Sequence, residues 1–182
     1  MDDSIAELEP LRLVDGSTVP CRPISPSDQS ALQRFHRRLS SESIYLRHFG
    51  VVPDLSAAQV YHFTHLDYVD RYALVALDPA DPSEIIAVVR YDREPGTDRA
   101  EYAALVEDRW QGRGIGFGLT LRLIDAARAR GLRRLYALVM PQNQRMLTLL
   151  RALNLPVREH WESGVDVVEV DLDPESPDDS TP

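Results

Sequence analysis

The alternation of apolar and polar residues predicts a pair of short strands near the start of the chain. Leu11–Val14 and Val19–Arg22 flank Asp15-Gly16, a dipeptide typical of tight β-hairpins. Beyond this hairpin the apolar residues recur with the period of a helix. Three helices are predicted: one that follows Ser27-Asp28 with Leu32, Phe35 and Leu39 inward, one over Ser41–Phe49, and one from Ser56 to near Leu66.

The remaining pattern predicts a group of strands and then strands that alternate with helices. These elements are strands at Tyr72–Leu77, Ile85–Tyr91 and Ala100–Val106, a helix between the loop Glu107–Gly114 and Gly131, a strand at Leu135–Met140, a helix at Asn143–Leu153, and a strand pair from Trp161 to Leu172. An antiparallel meander that leads into one βαβ unit accounts for this order. The predicted fold class is therefore a mixed α/β (α+β) domain.

Composition places the chain among globular proteins. Hydrophobic residues make up 43% and charged residues 27% of the sequence. No apolar run reaches the length of about 18 residues that a membrane span needs, so no membrane partner is expected. The acidic start lacks an apolar leader, and we therefore expect a cytoplasmic protein.

Charge is concentrated at the two ends. Eight acidic residues and no arginine lie in positions 1–9 and 173–182, and they account for most of the net charge of −9. We expect residues 1–10 to form a flexible acidic N-terminus, residues 11–172 one domain, and residues 173–182 a disordered acidic tail. A nearly neutral body between acidic ends argues against nucleic acid as a partner.

All 20 basic residues are arginine, and the chain contains no lysine. This excludes the phosphate-binding P-loop, the protein-kinase site, and enzymes that use a lysine Schiff base or pyridoxal phosphate. A GC-rich genome would give the same bias without any functional cause. Cys21 is the only cysteine, so a CxxC site is excluded, and His62 with His65 lacks a third nearby ligand. No metal is expected.

A glycine-rich segment between a strand and a helix carries the strongest functional signal. Gln111-Gly112-Arg113-Gly114-Ile115-Gly116 would present consecutive backbone N–H groups at the positive end of a helix dipole, which favours a phosphate or pyrophosphate. The dinucleotide motif GxGxxG does not fit, because its third glycine would fall on Phe117 or Leu119. The Walker motif does not fit for lack of a lysine.

The segment instead resembles the Q/R-x-x-G-x-G/A motif of the GNAT N-acetyltransferase superfamily at every fixed position. Downstream, Val139-Met140-Pro141-Gln142-Asn143 is similar to the second CoA-facing segment of that family. The resemblance extends roughly from Val19 to Leu172. It implies a GNAT fold, in which a mixed, mostly antiparallel sheet is flanked by helices and contains one βαβ unit for acetyl-CoA.

The resemblance also implies how acetyl-CoA, the co-substrate, would lie. The backbone of residues 104–106 would pair with the pantetheine arm as an added strand does, and the amides of residues 112–117 would hold the pyrophosphate. Asn143 would touch the pantetheine or the acetyl end, and Arg113 or Arg145 would meet the CoA phosphates or remain solvated. The residues expected at the cofactor are Ala104, Leu105, Val106, Gln111, Gly112, Arg113, Gly114, Ile115, Gly116, Phe117 and Asn143.

Glu101 is the candidate catalytic base. An amine attacks a thioester only as a neutral nitrogen, so a base must first remove a proton, directly or through water. Glu101 shares one face of an otherwise apolar strand with Ala103 and Leu105, and its position resembles that of the catalytic glutamate in several protein acetyltransferases of this superfamily. The alternative is a glutamate that is exposed at an edge or paired with an arginine. Amides near Leu105 and Val106 could stabilise the oxyanion.

The general acid of many family members is missing here. They place a tyrosine seven residues after the asparagine, and this chain has Leu150 at that position. Water, Tyr102 or Tyr136 could reprotonate the CoA thiolate instead, and the sequence does not decide among them.

A second resemblance concerns the acceptor. Residues 40–49 and 67–76 are similar to the catalytic domain of Pat-type bacterial protein lysine acetyltransferases, which implies a protein lysine as acceptor, with acyl-CoA synthetases among the substrates. That domain is often joined to a regulatory domain for cyclic nucleotides or amino acids, so this chain would be an unregulated member or a fragment. Two alternatives stay open. An acidic cleft would favour transfer to a small amine such as a polyamine, amino acid or antibiotic, and the missing tyrosine would suit an acyl-CoA sensor without turnover.

Overall fold

A computed structural model describes residues 8–173, which form one seven-stranded sheet, one two-stranded sheet and helices on both faces of the larger sheet. The strands are β1 (Leu11–Arg12), β2 (Thr18–Val19), β3 (Cys21–Pro23), β4 (Arg71–Leu77), β5 (Ile85–Arg93), β6 (Arg99–Val106), β7 (Arg134–Val139), β8 (Val157–Glu162) and β9 (Val165–Asp171). The helices are α1 (Gln29–Arg37), α2 (Ser41–His48), α3 (Ala57–Thr64), α4 (Ile115–Ala129) and α5 (Gln144–Arg151). The acidic segments predicted to be flexible lie almost wholly outside the described residues.

The larger sheet has the strand order β3-β4-β5-β6-β7-β9-β8. Every neighbouring pair in it is antiparallel except β6 and β7, which are parallel and connected by α4. The meander β4-β5-β6 therefore leads into a single βαβ unit, as the sequence predicted. The mixed, mostly antiparallel sheet of the predicted fold class is confirmed.

The sheet separates two hydrophobic cores. One face packs against α4 and α5, with Tyr91, Leu119 and Leu123 fully buried there. The other face packs against α1 and α3, around Phe35 and Ile85. Since consecutive residues of a strand face opposite sides, each position of the central strands belongs to one core or the other.

Two sequence predictions about strands are corrected by the structure. The strand predicted over Val19–Arg22 is divided by Pro20: Val19 pairs with β1, whereas Cys21 pairs with β4. Proline has no N–H to donate, and its carbonyl accepts from Leu77 at 2.9 Å as the chain passes from one sheet to the other. The closing strand pair begins at Val157, the first residue of β8, rather than at Trp161. The sequence pattern missed the first residues of β8 because this strand is exposed at the sheet edge and has no apolar face.

Within residues 8–173 no helix has the length and apolar composition required to cross a membrane. In the same range no group of three or more His, Cys, Asp or Glu side chains is arranged to hold a metal ion. His65, one of the two histidines noted in the sequence, stacks on the ring of Tyr61 at 3.7 Å between centroids.

Buried ion pairs fix the loop that leaves β6. Glu107 follows that strand directly and is only 4% exposed. Its carboxylate accepts hydrogen bonds from Arg38, the residue that ends α1 as its C-cap, at 3.0 Å and from Arg109 at 2.5 Å. Arg38 also donates to Glu84 at 2.5 Å, so one guanidinium joins the end of α1 to the residue before β5 and to the residue after β6. The path of the chain between β6 and α4 is therefore set by charge as well as by backbone pairing.

Replacing Glu107 with alanine should lower the free energy of unfolding by about 2–3 kcal/mol. This is below the roughly 3–5 kcal/mol expected when a buried charge loses its only partner, because Arg38 keeps Glu84. Asp54→Ala is the matched control, since it removes an ion pair with Arg37 in which both side chains are 62% exposed, and its effect should stay within about 1 kcal/mol. Urea denaturation measures both values, and equal losses would contradict the structural role assigned to Glu107.

Two histidines lie at the contact between α1 and α2. The rings of His36 and His48 meet edge to face at 5.7 Å between centroids. His36 Nε2 lies 2.7 Å from the carbonyl oxygen of Val52, and that nitrogen must carry the proton because a carbonyl only accepts. Burial, with the charge of Arg47 and the proximity of His36 as smaller causes, lowers the pKa of His48 from 6.5 to about 4. His48 is therefore neutral near pH 7.

The depressed pKa of His48 predicts a loss of stability in mild acid. The unfolded chain takes up a proton on this ring near pH 6.5 and the folded protein only near pH 4, so the free energy of unfolding should fall as the pH decreases across that interval. His48→Gln should be less sensitive to pH between these two values. Thermal unfolding of both proteins at a series of pH values measures the difference, and parallel curves would contradict the assignment.

Candidate active site

The parallel strands β6 and β7 are paired only over their first three residues. The last pair joins Glu101 and Tyr136. Beyond it β6 continues beside β5 as far as Val106, and β7 continues beside β9 as far as Val139. The two strands therefore separate after Glu101 and leave a gap in the sheet, bordered by backbone groups that no neighbouring strand takes up.

Strand alternation decides which residues of β6 direct their backbone into this gap. The N–H of Glu107 donates to Ile86 of β5 at 2.9 Å, so the backbone groups of Leu105 also face β5 and those of Ala104 and Val106 face the gap. The carbonyl of Val106 accepts a hydrogen bond from Gln111 Nε2 at 3.0 Å. The resemblance implied that Leu105 pairs with pantetheine through its backbone. Its backbone instead faces β5, and its side chain lies on the face of the sheet opposite α4.

The glycine-rich segment forms a turn that ends in free N–H groups. Gly112 and Gly114 have φ values of 74° and 89°, a region that glycine adopts without strain. Gly114 is the N-cap of α4, and its carbonyl accepts the first helical hydrogen bond, from Gly118 at 2.9 Å. In the described part of the chain no side chain caps this helix, so the N–H groups of residues 115–117 are available to an anion.

Two further residues of the predicted cofactor site contribute to helix packing. A Cβ on Gly116 would lie 3.3 Å from Leu149 and 3.4 Å from Val106, so glycine permits close contact between α4, α5 and β6. The side-chain oxygen of Asn143 accepts from the N–H of Met146 at 3.2 Å and caps α5. A ligand at this position would meet the amide nitrogen of Asn143.

Arg113 is tied to the β1–β2 hairpin. Its guanidinium forms an ion pair with Asp15 at 2.8 Å and lies 4.5 Å above the ring of Trp110. A backbone hydrogen bond of 3.3 Å from Val14 to the carbonyl of Arg113 adds a second link. Hydrogen bonds from Ser17 and then from Arg113 hold the pKa of the Asp15 carboxyl well below its usual range. Arg113 is thus partly neutralised, whereas Arg145, the alternative contact for CoA phosphates, is exposed on α5.

Glu101 lies where the two strands separate, on the face of the sheet opposite α4. Asp92 is the residue of β5 that pairs with Glu101 in the sheet, and both carboxylates attract Arg47 of α2 through space. Within residues 8–173 the carboxylate of Glu101 makes no hydrogen bond and no ion pair shorter than 4.0 Å. The nearest arginine in effect is therefore Arg47, which interacts with Glu101 through space rather than through a direct ion pair.

The two tyrosines considered as substitutes for the missing acid are both engaged elsewhere. The hydroxyl of Tyr102 lies 2.7 Å from Thr120 in the core between β6 and α4, and burial raises its pKa. Burial is also the main cause that raises the pKa of Tyr136 to about 12, while the guanidinium of Arg99 lies 3.8 Å above its ring. Leu150, which replaces the usual tyrosine, is buried. No side chain is assigned as the acid.

A pocket opens on the same face as Glu101. Its empty space is about 430 Å³, part of it open to solvent, and its walls come from α1, α2, α3 and the central strands. Phe35, Phe63 and Leu105 make it largely apolar, whereas Arg47 and Arg90 supply charge. None of the residues that line it, all within the described part of the chain, is acidic. Sequence reasoning missed this pocket, although Arg90 alone among the buried apolar residues of β5 was a detectable signal.

Comparison with known proteins identifies the family of this chain. Residues 34–154 match the profile of a family described as Acetyltransferase (GNAT) family. The acetyltransferase PA5475 of Pseudomonas aeruginosa is 31% identical over 142 residues, which are 78% of this chain and 76% of that protein. The acetyltransferase Pat of Mycolicibacterium smegmatis is 33% identical over 167 residues, which are 91% of this chain but 49% of that protein. The chain thus spans about half the length of this Pat.

Among solved structures, the GNAT domain of PAT from S. lividans has a TM-score of 0.84 and 39% sequence identity, with 91% of this chain and 96% of that domain covered. The chain therefore belongs to the GNAT acetyltransferase family, as a Pat-like acetyl-CoA-dependent N-acetyltransferase.

Proposed function

We propose that this enzyme transfers an acetyl group from acetyl-CoA directly to a lysine side chain of a protein, with Glu101 as the general base. The observation that carries the proposal is the position of Glu101, which lies at the point where β6 and β7 separate and has no ion-pair partner among residues 8–173. A carboxylate there lies beside the gap and next to the open pocket on the face away from α4. An amine that enters from this side can reach the gap.

The residues around the gap fit acetyl-CoA. The backbone of Ala104 and Val106 faces the gap and is suited to the amides of the pantetheine arm, and the free N–H groups of residues 115–117 are suited to the pyrophosphate. Gly112 and Gly114 keep the turn free of side chains at this point. The co-substrate supplies the thioester carbonyl that the amine attacks.

The chemical step requires little more than a base and a polarised carbonyl. Glu101 accepts a proton from the incoming ammonium, directly or through one water, and the neutral nitrogen then attacks the thioester carbon. The N–H of Val106 faces the gap and could stabilise the oxyanion of the tetrahedral intermediate. The nitrogen of the tetrahedral intermediate loses its second proton to water, and the C–S bond breaks to leave the neutral amide. CoA leaves as a thiolate and takes up a proton from water, since Leu150 cannot donate one.

The charge of the pocket favours a protein acceptor over a small polycation. A polyamine or an aminoglycoside needs carboxylates around it, and the pocket beside Glu101 has two arginines and no acidic lining residue. The Mycolicibacterium and S. lividans relatives, both named Pat, support the same preference. Acyl-CoA synthetases, which the resemblance suggested, are the first acceptors to test.

Glu101→Gln should lower kcat for acetyl transfer by about 10²–10⁴-fold and leave acetyl-CoA affinity nearly unchanged, because the amide keeps the shape but cannot accept the proton. Free-CoA release is measured with an acyl-CoA synthetase and with a panel of small amines. Asp92→Asn is the matched control. It removes the carboxylate of the residue in β5 that pairs with Glu101, and it should change kcat less than about tenfold.

Each other outcome has a defined meaning. Retained turnover in Glu101→Gln would reject Glu101 as the base. Turnover with a small amine and none with the protein would reject lysine as the acceptor while the family assignment stands. Tight acetyl-CoA binding without CoA release for any acceptor would support the sensor alternative.

The turn at Gly114 provides a test of the cofactor site. Gly114→Ala places a Cβ at a φ of 89°, 3.6 Å from Val14, which costs about 1–2 kcal/mol and should weaken acetyl-CoA binding roughly tenfold by displacing the helix N-terminus. Gly131→Ala is the control, because Gly131 has a similar φ of 75° beyond the other end of α4, with no atom near the added Cβ. It should lose comparable stability and keep its affinity in calorimetry. Equal affinities for both variants would contradict the proposed cradle.

A further inference from the structure

Arg90 is a buried charge in the pocket beside Glu101. It lies in β5, is 7% exposed, and has its guanidinium 4.4 Å above the ring of Phe63. Nη2 donates to the carbonyl of Phe63 at 3.0 Å. Burial lowers its pKa to about 10, so Arg90 remains charged at neutral pH. These contacts use one N–H donor and one face of the guanidinium, and neither contact places a negative charge next to it.

Arg47 extends from α2 into the same pocket. Within the described residues neither Arg47 nor Arg90 has a carboxylate closer than 4.0 Å. The nearest acidic groups act only through space: Glu101 and Asp92 attract Arg47, and Asp92 also attracts Arg90. Asp92 is already bound by Arg71 at 2.9 Å. Both guanidiniums therefore retain donor capacity toward the pocket.

The charged and titratable groups on the other walls do not neutralise these arginines. His48 is neutral near pH 7, and His36 uses Nε2 to bind the carbonyl of Val52. His62 of α3 has its pKa lowered, chiefly by burial and then by the charge of Arg71. Positive charge therefore exceeds negative charge inside this pocket, although the whole protein is acidic.

An arginine elsewhere in the fold shows the contrast. Arg38, which is also partly buried, has Glu84 and Glu107 as partners at 2.5 Å and 3.0 Å. Holding two unpaired guanidiniums close together in an apolar pocket destabilises a fold, because each loses hydration and each repels the other. A ligand that brings a negative charge removes both penalties.

We propose that this pocket binds a carboxylate carried by one of the two substrates. Arg47 and Arg90 would donate to its oxygens, and the apolar walls around Phe35 and Leu105 would hold the carbon chain attached to it. The pocket also includes Ala103 and Ala104, so the bound carboxylate lies a few atoms from the gap where transfer occurs. The inference rests on the proposed function in placing the reaction at that gap.

The carboxylate can come from either substrate. It would be the distal group of a dicarboxylic acyl chain on CoA, or an acidic side chain next to the acceptor lysine. Both sources offer the same oxygens to the same guanidiniums, and only kinetic comparison distinguishes them.

The first experiment tests binding without catalysis. 3-Phenylpropionate and its uncharged analogue 3-phenylpropionamide are titrated into the protein and followed by NMR. The wild type should bind the acid about tenfold more tightly than the amide, because a carboxylate forms charge-assisted hydrogen bonds that an amide does not. Arg47→Gln and Arg90→Gln should lose this preference, whereas Arg12→Gln, an exposed arginine on β1, should keep it. Should Arg90→Gln fail to fold, Arg47→Gln still decides. Equal binding of acid and amide by the wild type would overturn the proposal.

The second experiment identifies the source. Succinyl-CoA is compared with butyryl-CoA as donor, and a lysine peptide flanked by glutamate is compared with the same peptide flanked by glutamine as acceptor. A preference for succinyl-CoA that Arg47→Gln abolishes assigns the pocket to the acyl chain. A preference for the glutamate peptide, lost in the same variant, assigns it to the acceptor. If neither preference exists, the role in catalysis is rejected. If no peptide is acylated but the pocket still prefers 3-phenylpropionate, the lysine proposal fails and carboxylate binding stands.

Discussion

The ion pairs of Glu107 determine where β6 ends, and the geometry of the active site depends on that point. The next residue, Asp108, accepts hydrogen bonds from the N–H and the hydroxyl of Ser40 at 2.9 Å and 2.6 Å and from Ser43 at 2.9 Å. These bonds fasten the start of α2 to the loop. Two adjacent carboxylates thus hold α1 and α2 against the same turn, and Gln111 closes it onto the last carbonyl of β6. A change at this turn would therefore be felt on both faces of the sheet.

The sheet also separates the two halves of the proposed reaction. The free N–H groups at the start of α4 lie on one side, and the glutamate and the arginine-lined pocket lie on the other. The gap between β6 and β7 is where the two sides would communicate, because beyond Glu101 these two neighbouring strands are no longer paired with each other. Donor and acceptor can then approach from opposite sides without competing for the same surface.

Local sequence predicted much of this arrangement. The hairpin at Asp15-Gly16 and the turn before α4 were predictable because their backbone conformations suit glycine and few other residue types. β8 was misplaced because an exposed strand has no apolar alternation to detect. The division at Pro20 depends on which strand each half pairs with, and that is a tertiary property.

The site was less predictable than the fold for a similar reason. Glu101 was singled out by its place in an apolar strand and by the resemblance. Its lack of an ion-pair partner within residues 8–173 depends instead on which arginines other elements bring near it. Arg47 and Arg90 belong to a helix and a strand far apart in sequence, and no local pattern joins them. The backbone direction of Leu105 depends on its register with β5. Each of these facts is a long-range contact rather than a propensity.

If the glycine turn holds acetyl-CoA as proposed, its attachment to the β1–β2 hairpin lowers the entropic cost of binding. A free loop of this kind would have to become ordered when the ligand binds, and the free-energy cost of that ordering would weaken the affinity. Here the hydrogen bond from Val14 and the ion pair between Arg113 and Asp15 order the turn during folding. The β1–β2 hairpin, which contributes none of the groups proposed for the chemistry, thereby preorganises the glycine turn before α4.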